Sequence, residues 1–230
     1  MTSDVTIVAL AGGGIAASFK EIAAQFEAAT GHKVAIRFGT APELIKMAAG
    51  NPFDLAVVPV DVFRNASTRA IFEPSPLVDV ARVGLGLAIP SLAPKPDIST
   101  PEALKRTLLE AQAVASIPAS ATGTLLAAVY ERLGIAEEMK AKTKALPEPE
   151  QIIEAVIKGE ADLAVFLTNV LTDPRLNMVG PFPAEIQREV IYQAGVAANS
   201  KEPDIAKAFI AYLLSPEGAA VIKSKGMIPG

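Results

Sequence analysis

Short apolar runs alternate with amphipathic segments over the first sixty residues, and this pattern constrains the fold more than any other feature of the chain. The runs at 5–11, 34–38 and 55–60 predict buried strands. The segments between them predict helices, the first from its apolar residues at helical spacing and the second from Pro42 in its first turn. This β-α-β-α-β order is typical of a parallel sheet with right-handed crossovers.

Three loops of this first part follow predicted strands, at 12–14, 39–43 and 59–61. In open α/β sheets ligands bind beyond the carboxyl ends of the strands, so we expect the three loops to face one ligand site. Glycines let a ligand approach the backbone closely, and each loop leads into a helix whose N-terminus favours anions. The ligand-binding candidates from these loops are Gly12, Gly13, Gly14, Thr40, Ala41 and Asp61.

The middle of the chain repeats the β-α-β pattern after a loop at 90–101 that is rich in Pro and Ser. Strands are predicted at 113–117 and 163–167, and a further strand at 190–197. Thr122 is the predicted N-cap of the helix that follows the first of these strands. The residues after the first two strands give a second set of ligand-binding candidates, which are Ser120, Thr122, Gly123, Leu167, Thr168 and Asn169.

The composition excludes several classes of function. The net charge is −4 and no dense basic cluster is present, which argues against nucleic-acid binding. The absence of Cys excludes disulfides, zinc–thiolate sites and thiol catalysis. The one histidine, His32, falls at the amino end of the predicted sheet, away from the ligand edge, which excludes Ser-His-Asp triads and His-rich metal sites. The sequence therefore predicts neither a metal nor a cofactor.

A dinucleotide-binding enzyme is an alternative interpretation of the first loop. Gly12, Gly14 and Ala17 fit the pattern G-x-G-x-x-[G/A] between a strand and a helix. Such a site also needs an acidic residue at the end of the second strand, where this chain has none. Arg37, the one charged residue of that strand, could approach a phosphate or simply face solvent. The missing acid weighs against this alternative.

Two acidic residues lie on the ligand side and are the weak catalytic candidates. Asp61 follows the third strand, where it could cap a helix, contact a ligand or act as a base, and capping is the first expectation. Glu43 falls in a first helical turn, where acids are common because of the helix dipole. No pair of carboxylates has a spacing that demands acid–base catalysis.

The N-terminal segment and the hydropathy bear on the compartment. Residues 1–4 are short and acidic, without a secretory signal, and no apolar stretch is both long enough and free enough of charge to span a bilayer. As written, the sequence predicts a cytoplasmic protein. A processed mature chain would look the same, so a periplasmic location is the alternative, and only then would an ABC permease be a partner.

Several motifs occur in a fixed order along most of the chain. They are FKEIAAQF at 19–26, TG at 30–31, FGT at 38–40, GNPFDL at 50–55 and, most specific, AFIAYLLSPEG at 208–218. Their order and spacing resemble the molybdate-binding family of type II periplasmic solute-binding proteins. The resemblance implies an α/β, two-lobed type II periplasmic-binding-protein-like fold, each lobe a mostly parallel sheet flanked by helices. Lobe one would be 1–82 plus 194–230 and lobe two 83–193, with the ligand in a cleft between them.

The resemblance also implies which residues contact the ligand. Two serines are typical of the family's first and second loops, and Gly14 and Ala41 stand in their places. A buried dianion needs its oxygens satisfied, so the lost hydroxyls argue against molybdate and favour a larger or more apolar organic ligand. The other family contacts are backbone groups and a tyrosine, and they fall at Thr122, Gly123, Gln151 or Ile152, and Leu167.

Two functions follow from the resemblance. The first is a non-catalytic binding protein for a small anionic solute. The second is an isomerase of a small organic acid with Asp61 or Glu43 as base, because aconitate isomerase belongs to the same broad family. An acid with three carboxylates would need several Arg or Lys side chains in the ligand loops, which offer almost none. That scarcity favours the binding protein.

Overall fold

The computed structural model describes residues 4–230. Residues 1–3, which belong to the N-terminal segment on which the expectation about secretion rests, lie outside the described residues. The chain divides into two compact units. Unit 1 comprises Met1–Arg82 and Ile191–Gly230, and unit 2 comprises Val83–Val190.

Strands and helices alternate along much of the chain. The strands are β1 (Thr6–Gly12), β2 (Lys33–Gly39), β3 (Leu55–Pro59), β4 (Val78–Pro90), β5 (Val114–Ser116), β6 (Thr143–Ala145), β7 (Leu163–Leu167), β8 (Leu176–Pro181), β9 (Glu189–Val196) and β10 (Ile228–Pro229). The helices are α1 (Ala16–Thr30), α2 (Ala41–Gly50), α3 (Val60–Arg64), α4 (Ala66–Arg69), α5 (Pro101–Glu110), α6 (Ala121–Leu133), α7 (Ala136–Lys142), α8 (Pro149–Ile157), α9 (Pro203–Leu213) and α10 (Pro216–Ser224).

The sheet of unit 1 has β1 between β2 and β3, and these three strands are parallel, as the β-α-β pattern predicts. β9 extends the sheet beside β3 in the antiparallel direction, and β10 pairs with β4 at Ala81 and Arg82. Every residue of β3 is buried, which is why its sequence is an uninterrupted apolar run. One boundary differs from the prediction, because Val60 begins α3 instead of ending β3.

An aromatic cluster joins the two sequence segments of unit 1. Phe19 and Phe26 lie on the buried face of α1, and the ring of Phe209 from α9 packs edge-on against both, with centroids 5.5 and 5.0 Å away. Edge-to-face contacts of this kind stabilise beyond the area they bury. α1 ends at Gly31 with a φ of 80°, a left-handed conformation that favours glycine at this helix end.

Unit 2 has a mixed sheet of its own. β5 pairs in parallel with β6 and with β7, whereas β4 pairs antiparallel with β7 and with β8. α6 ends at Gly134 with a φ of 67°, and Gly159, with a φ of 69°, follows α8, so both glycines lie at helix ends in the left-handed conformation. The boundaries between the units fall inside β4 and β9, so the chain passes between them twice along continuous strands.

No single helix within residues 4–230 is long and apolar enough to cross a membrane. α9 and α10 reach the required length and composition only as a pair, with a bend of 58° between them. Both helices place side chains in the protein core, among them Phe209, Leu213 and Ile222.

Candidate ligand-binding site

The parallel strands of unit 1 bring three predicted loops to one edge of its sheet. Gly12 at the end of β1 is opposite Gly39 at the end of β2, and Ala11 is opposite Val57 of β3. The loops that begin at Gly12, Gly39 and Pro59 therefore leave the sheet on the same side. β9 runs in the opposite direction, and its Tyr192 is opposite Pro59. This edge with its loops is called the unit 1 ligand edge below.

The first loop starts a helix without a side-chain cap. A 3-10 turn at Gly13–Ile15 continues into α1, and neither this turn nor α1 has a capping side chain or an acidic residue in its first turn. Gly12, Gly13 and Gly14 all avoid the left-handed φ region. Backbone conformation therefore does not require glycine at these three positions.

Gly12 and Gly13 differ in the space around them. A Cβ at Gly12 would lie 2.8 Å from the Tyr192 Cε1 and 3.2 Å from the Pro59 Cδ, whereas a Cβ at Gly13 would meet no atom within 4 Å. Gly12 thus packs closely against an aromatic ring, which leaves little room for a side chain at this position. Gly13 leaves open space at the unit 1 ligand edge.

Tyr192 is the residue of the unit 1 ligand edge that the sequence reasoning missed. Its side chain is almost fully buried, with 2% of the residue exposed, and burial alone raises its pKa above the ordinary range of tyrosine. The strand at 190–197 was predictable from its apolar pattern, but the contact of this ring with Gly12 was not. The one available signal was a large polar-tipped aromatic residue in a chain with three tyrosines and no Trp.

Thr40 and Glu43 form the start of α2. The Thr40 backbone N–H and the Thr40 hydroxyl both donate to Glu43 Oε2, at 2.7 and 2.8 Å. These two hydrogen bonds lower the pKa of Glu43, the backbone bond contributing most. Glu43 is therefore ionised at neutral pH but a weaker base than an ordinary glutamate, and the Thr40 hydroxyl hydrogen is already engaged. Ala41 is the first residue of the helix and adds no polar group.

Asp61 does not cap α3. Pro59 is the N-cap residue, and Asp61 is the second residue of the helix, where its Oδ1 accepts a hydrogen bond of 2.8 Å from Arg64 Nη1. The expectation of a capping role is wrong, because β3 ends one residue earlier than predicted and the helix begins before Asp61. The carboxylate is instead held by an arginine one turn along the same helix.

In unit 2 a serine of the loop after β5 forms hydrogen bonds with the backbone of that loop and of the following helix. The Ser120 hydroxyl donates to the Ile117 carbonyl at 2.7 Å and accepts from the Gly123 N–H at 3.0 Å. Ser120 is therefore the N-cap of α6, and the prediction that Thr122 caps this helix is wrong. Thr122 lies inside the helix and is buried, with 3% exposed.

Gly123 allows the first turn of α6 to pack directly on the preceding loop. A Cβ at this position would lie 2.2 Å from the Pro118 carbonyl oxygen and 2.5 Å from the Ile117 carbonyl oxygen. No real Cβ contact is that short, and both obstacles are backbone atoms. Gly123 is thus required by packing, independently of any ligand.

The residues after β7 divide between core and surface. Leu167 is buried, so the position where the family has a tyrosine belongs here to the core of unit 2. The Thr168 N–H donates to the Gly84 carbonyl at 3.0 Å, and the Thr168 methyl fills the space beside Gly86. Asn169 lies in the turn that follows and is partly exposed.

Two further positions named by the family resemblance fall in α8. Gln151 is exposed, and its N–H donates to the Glu148 carbonyl at 3.2 Å. Ile152 is fully buried. Glu148 is the N-cap residue of α8, and its side chain makes no capping hydrogen bond.

The charged groups near the unit 1 ligand edge have internal partners. Arg64 pairs with Asp61, and Arg37 on β2 donates to the Pro52 carbonyl at 3.3 Å. Across residues 4–230 no group of three or more His, Cys, Asp or Glu side chains could hold a metal ion. The candidate donors of the three loops, which are backbone N–H groups, are neutral.

Two characterised proteins resemble the chain over nearly its whole length. An aconitate isomerase from Pseudomonas sp. is 30% identical over 232 residues, an alignment that spans 97% of this chain and 88% of the relative. The molybdate-binding protein ModA of Azotobacter vinelandii is 26% identical over 214 residues, which span 91% of this chain and 84% of ModA.

The fold is also that of solved solute-binding proteins. The structure of the periplasmic molybdate-binding protein of Azotobacter vinelandii superimposes with a TM-score of 0.80 and 17% sequence identity, covering 97% of this chain and 99% of the other. This likeness confirms the predicted two-lobed type II α/β fold class. The family model described as "Bacterial extracellular solute-binding protein" matches residues 7–228. The chain therefore belongs to the bacterial extracellular solute-binding protein family, with relatives among the molybdate-binding proteins.

Proposed function

We propose that this protein binds a small anionic organic solute at the strand-end loops and closes two lobes on it. The proposed lobes are 1–82 plus 194–230 and 83–193. The observation that carries the proposal is the start of α1, a glycine loop at the end of a parallel strand with neither a side-chain cap nor an acid in its first turn. Helix starts of this kind favour the oxygens of an anion.

The residues of the loops favour an organic acid over molybdate. Gly14 and Ala41 carry no hydroxyl, and the Thr40 hydroxyl donates to Glu43. A tetrahedral dianion would find few side-chain donors at this edge, and its desolvation would be poorly compensated. The open space beside Gly13 suits a ligand with a carbon skeleton.

An isomerase of a small organic acid is the second candidate, supported by the 30% identical aconitate isomerase. Its base would be Asp61 or Glu43. The lowered pKa of Glu43 reduces its strength as a base, and the Asp61 carboxylate is engaged in an ion pair with Arg64, so the binding function remains the first proposal. In addition, the arginines nearest the loops are engaged elsewhere, which disfavours a substrate with three carboxylates.

A thermal-shift screen tests the proposal. The panel contains molybdate, tungstate, sulfate and mono-, di- and tricarboxylates, among them cis- and trans-aconitate. We expect an organic acid to raise the melting temperature in a concentration-dependent manner and molybdate to leave it unchanged. Stabilisation by molybdate would overturn the preference for organic acids, and no stabilisation by any member would overturn the proposed function.

Two further measurements separate binding from catalysis and fix the compartment. NMR of each stabilising acid after incubation with the protein would reveal turnover, and its absence would exclude isomerisation of that acid. Ala41→Ser restores a hydroxyl where the related family has serine, and we expect it to increase binding of molybdate relative to the native chain. A transport receptor requires export and an ABC permease, whereas an isomerase can act in the cytoplasm, so fractionation of native cells distinguishes the two settings.

A further inference from the structure

We infer that the Tyr192 hydroxyl is a ligand contact of the unit 1 ligand edge and donates a hydrogen bond to an oxygen of the bound acid. This inference rests on the proposed function and extends it to a residue outside the three loops. Tyr192 belongs to β9, which reaches this edge from the opposite direction and places the residue beside Pro59. Its ring also lies against Gly12, the last residue of β1.

The position of the ring is built into the sheet. A Cβ at Gly12 would approach the Tyr192 Cε1 to 2.8 Å and its Cδ1 to 3.6 Å, so the ring passes directly over the end of β1. Only glycine at position 12 leaves room for it. The aromatic ring and the start of the uncapped helix are therefore neighbours at the same end of the same strand.

The Tyr192 hydroxyl is the polar end of an otherwise buried side chain. Burial raises the pKa of Tyr192, and within residues 4–230 its hydroxyl donates no hydrogen bond and is not fully shielded from solvent. Buried tyrosine hydroxyls ordinarily find a partner, because an unmade hydrogen bond in a desolvated place is unfavourable. A ligand oxygen seated at the end of β1 would supply that partner.

The donors define the chemistry of the ligand group. A phenol O–H next to the backbone N–H groups at a helix start favours an oxygen acceptor, and a charged oxygen most of all. Of the two arginines nearest the loops, Arg64 is paired with Asp61 and Arg37 donates to the Pro52 carbonyl. The arrangement suits one carboxylate of an organic acid, held by neutral donors.

Tyr130 provides a matched control in unit 2. Its hydroxyl is fully buried without a hydrogen-bond partner in the described chain, and burial raises its pKa as it does that of Tyr192. It lies near the C-terminal end of α6, whereas the ligand candidates of unit 2 lie at the start of that helix or after β7. Removal of its oxygen therefore tests the effect of losing a buried hydroxyl where no ligand is proposed.

The experiment compares Tyr192→Phe with Tyr130→Phe and the native chain by titration calorimetry. The probes are sulfate, succinate and cis- and trans-aconitate, and urea unfolding without probe is measured in parallel. For each probe that the native chain binds, we expect Kd to increase about tenfold in Tyr192→Phe and less than twofold in Tyr130→Phe. The stability of unliganded Tyr192→Phe should equal or exceed that of the native chain.

The outcomes distinguish the inference from the function on which it rests. An unchanged Kd in Tyr192→Phe, with binding by the native chain, would overturn the inference and leave the proposed function standing. A clear loss of stability in unliganded Tyr192→Phe with an unchanged Kd would likewise overturn it and would assign the hydroxyl a structural hydrogen bond. No binding of any probe by the native chain would overturn both.

Discussion

The starts of α1 and α6 look alike in sequence and differ in what they leave available. Each follows a parallel strand and begins with small residues. At α6 the Ser120 hydroxyl accepts a hydrogen bond from the Gly123 N–H. The backbone of the preceding loop leaves no room for a Cβ at Gly123. At α1 the N-cap residue provides no capping side chain. The space for a Cβ at Gly12 is taken by the ring of Tyr192, which comes from another strand. A strand, a small-residue loop and a helix can therefore form either a turn capped by its own side chain or a helix start whose N-cap residue provides no capping side chain.

Gly123→Ala tests the turn capped by its own side chain and should have the largest effect. Its Cβ would meet two backbone carbonyl oxygens at 2.2 and 2.5 Å, and these cannot move without displacing the loop. We expect the free energy of unfolding, measured by urea denaturation, to fall by about 3 kcal/mol or more. Gly13→Ala is the control for stability, since no atom lies within 4 Å, and it should stay within about 1 kcal/mol of the native chain. Equal losses in the two variants would contradict this difference.

Gly12→Ala tests the helix start at α1. The obstacle is a side chain at 2.8 Å, which can move more easily than backbone, so we expect a smaller loss of about 1–3 kcal/mol. In a Tyr192→Leu background the obstacle is smaller, and a double-mutant cycle in urea should give a coupling of about 1 kcal/mol between the two positions. Additive effects of the two substitutions would show that the Tyr192 ring is not the reason why position 12 requires glycine.

Ser120→Ala removes the cap that distinguishes α6 from α1. We expect a loss of about 1–2 kcal/mol, because the Gly123 N–H and the Ile117 carbonyl both lose their partner. Thermal and urea unfolding would measure it. Ser120→Thr keeps a hydroxyl at the cap and should recover most of the stability. A neutral Ser120→Ala would mean that a ligand or water serves the N–H and that this loop is as open as the first.

Glu43→Gln should have the smallest effect on the free energy of unfolding, and this effect should depend on pH. Its pKa is lower in the folded chain because Thr40 donates two hydrogen bonds, so its contribution is fully present above the unfolded value of about 4.5 and is lost as pH falls through the folded value. The carboxylate is solvent-exposed, so we expect less than about 1 kcal/mol. Urea midpoints of the native chain and Glu43→Gln should diverge near neutral pH and converge in acid. If the urea midpoints of the two proteins changed with pH in parallel, the stabilising role of the Thr40–Glu43 hydrogen bonds would be contradicted.

Sequence alone predicted the elements whose residues are buried on every side. The strand predicted at 163–167 matches β7, because five consecutive apolar residues have no other stable place. α10 begins after Ser215, where the Ser215 hydroxyl accepts a hydrogen bond from the Gly218 N–H. β6 and β8 were not predicted. β6 has three mostly polar residues and exists through its pairing with β5, and β8 includes Gly180 in a strand with an irregular register.

The site was less predictable than the fold. Ser120 and Thr122 are both hydroxyl residues near a helix start, and the choice between them depends on where the loop turns back on Gly123. Asp61 was misassigned because the end of β3 was one residue off. Tyr192 is distant in sequence from Gly12, and a single chain carries no local sign of that contact. These contacts depend on tertiary structure and cannot be predicted from local sequence patterns.

The division of unit 1 into two sequence segments has a consequence for the order of folding during synthesis. Unit 2 is continuous, so all of its residues leave the ribosome while the C-terminal part of unit 1 is still missing. Until β9 and α9 emerge, β3 lacks its antiparallel neighbour and the rings of Phe19 and Phe26 lack Phe209. The half of the chain whose synthesis starts first is therefore completed last. Chaperone protection of the nascent chain would be needed most at this apolar face of α1.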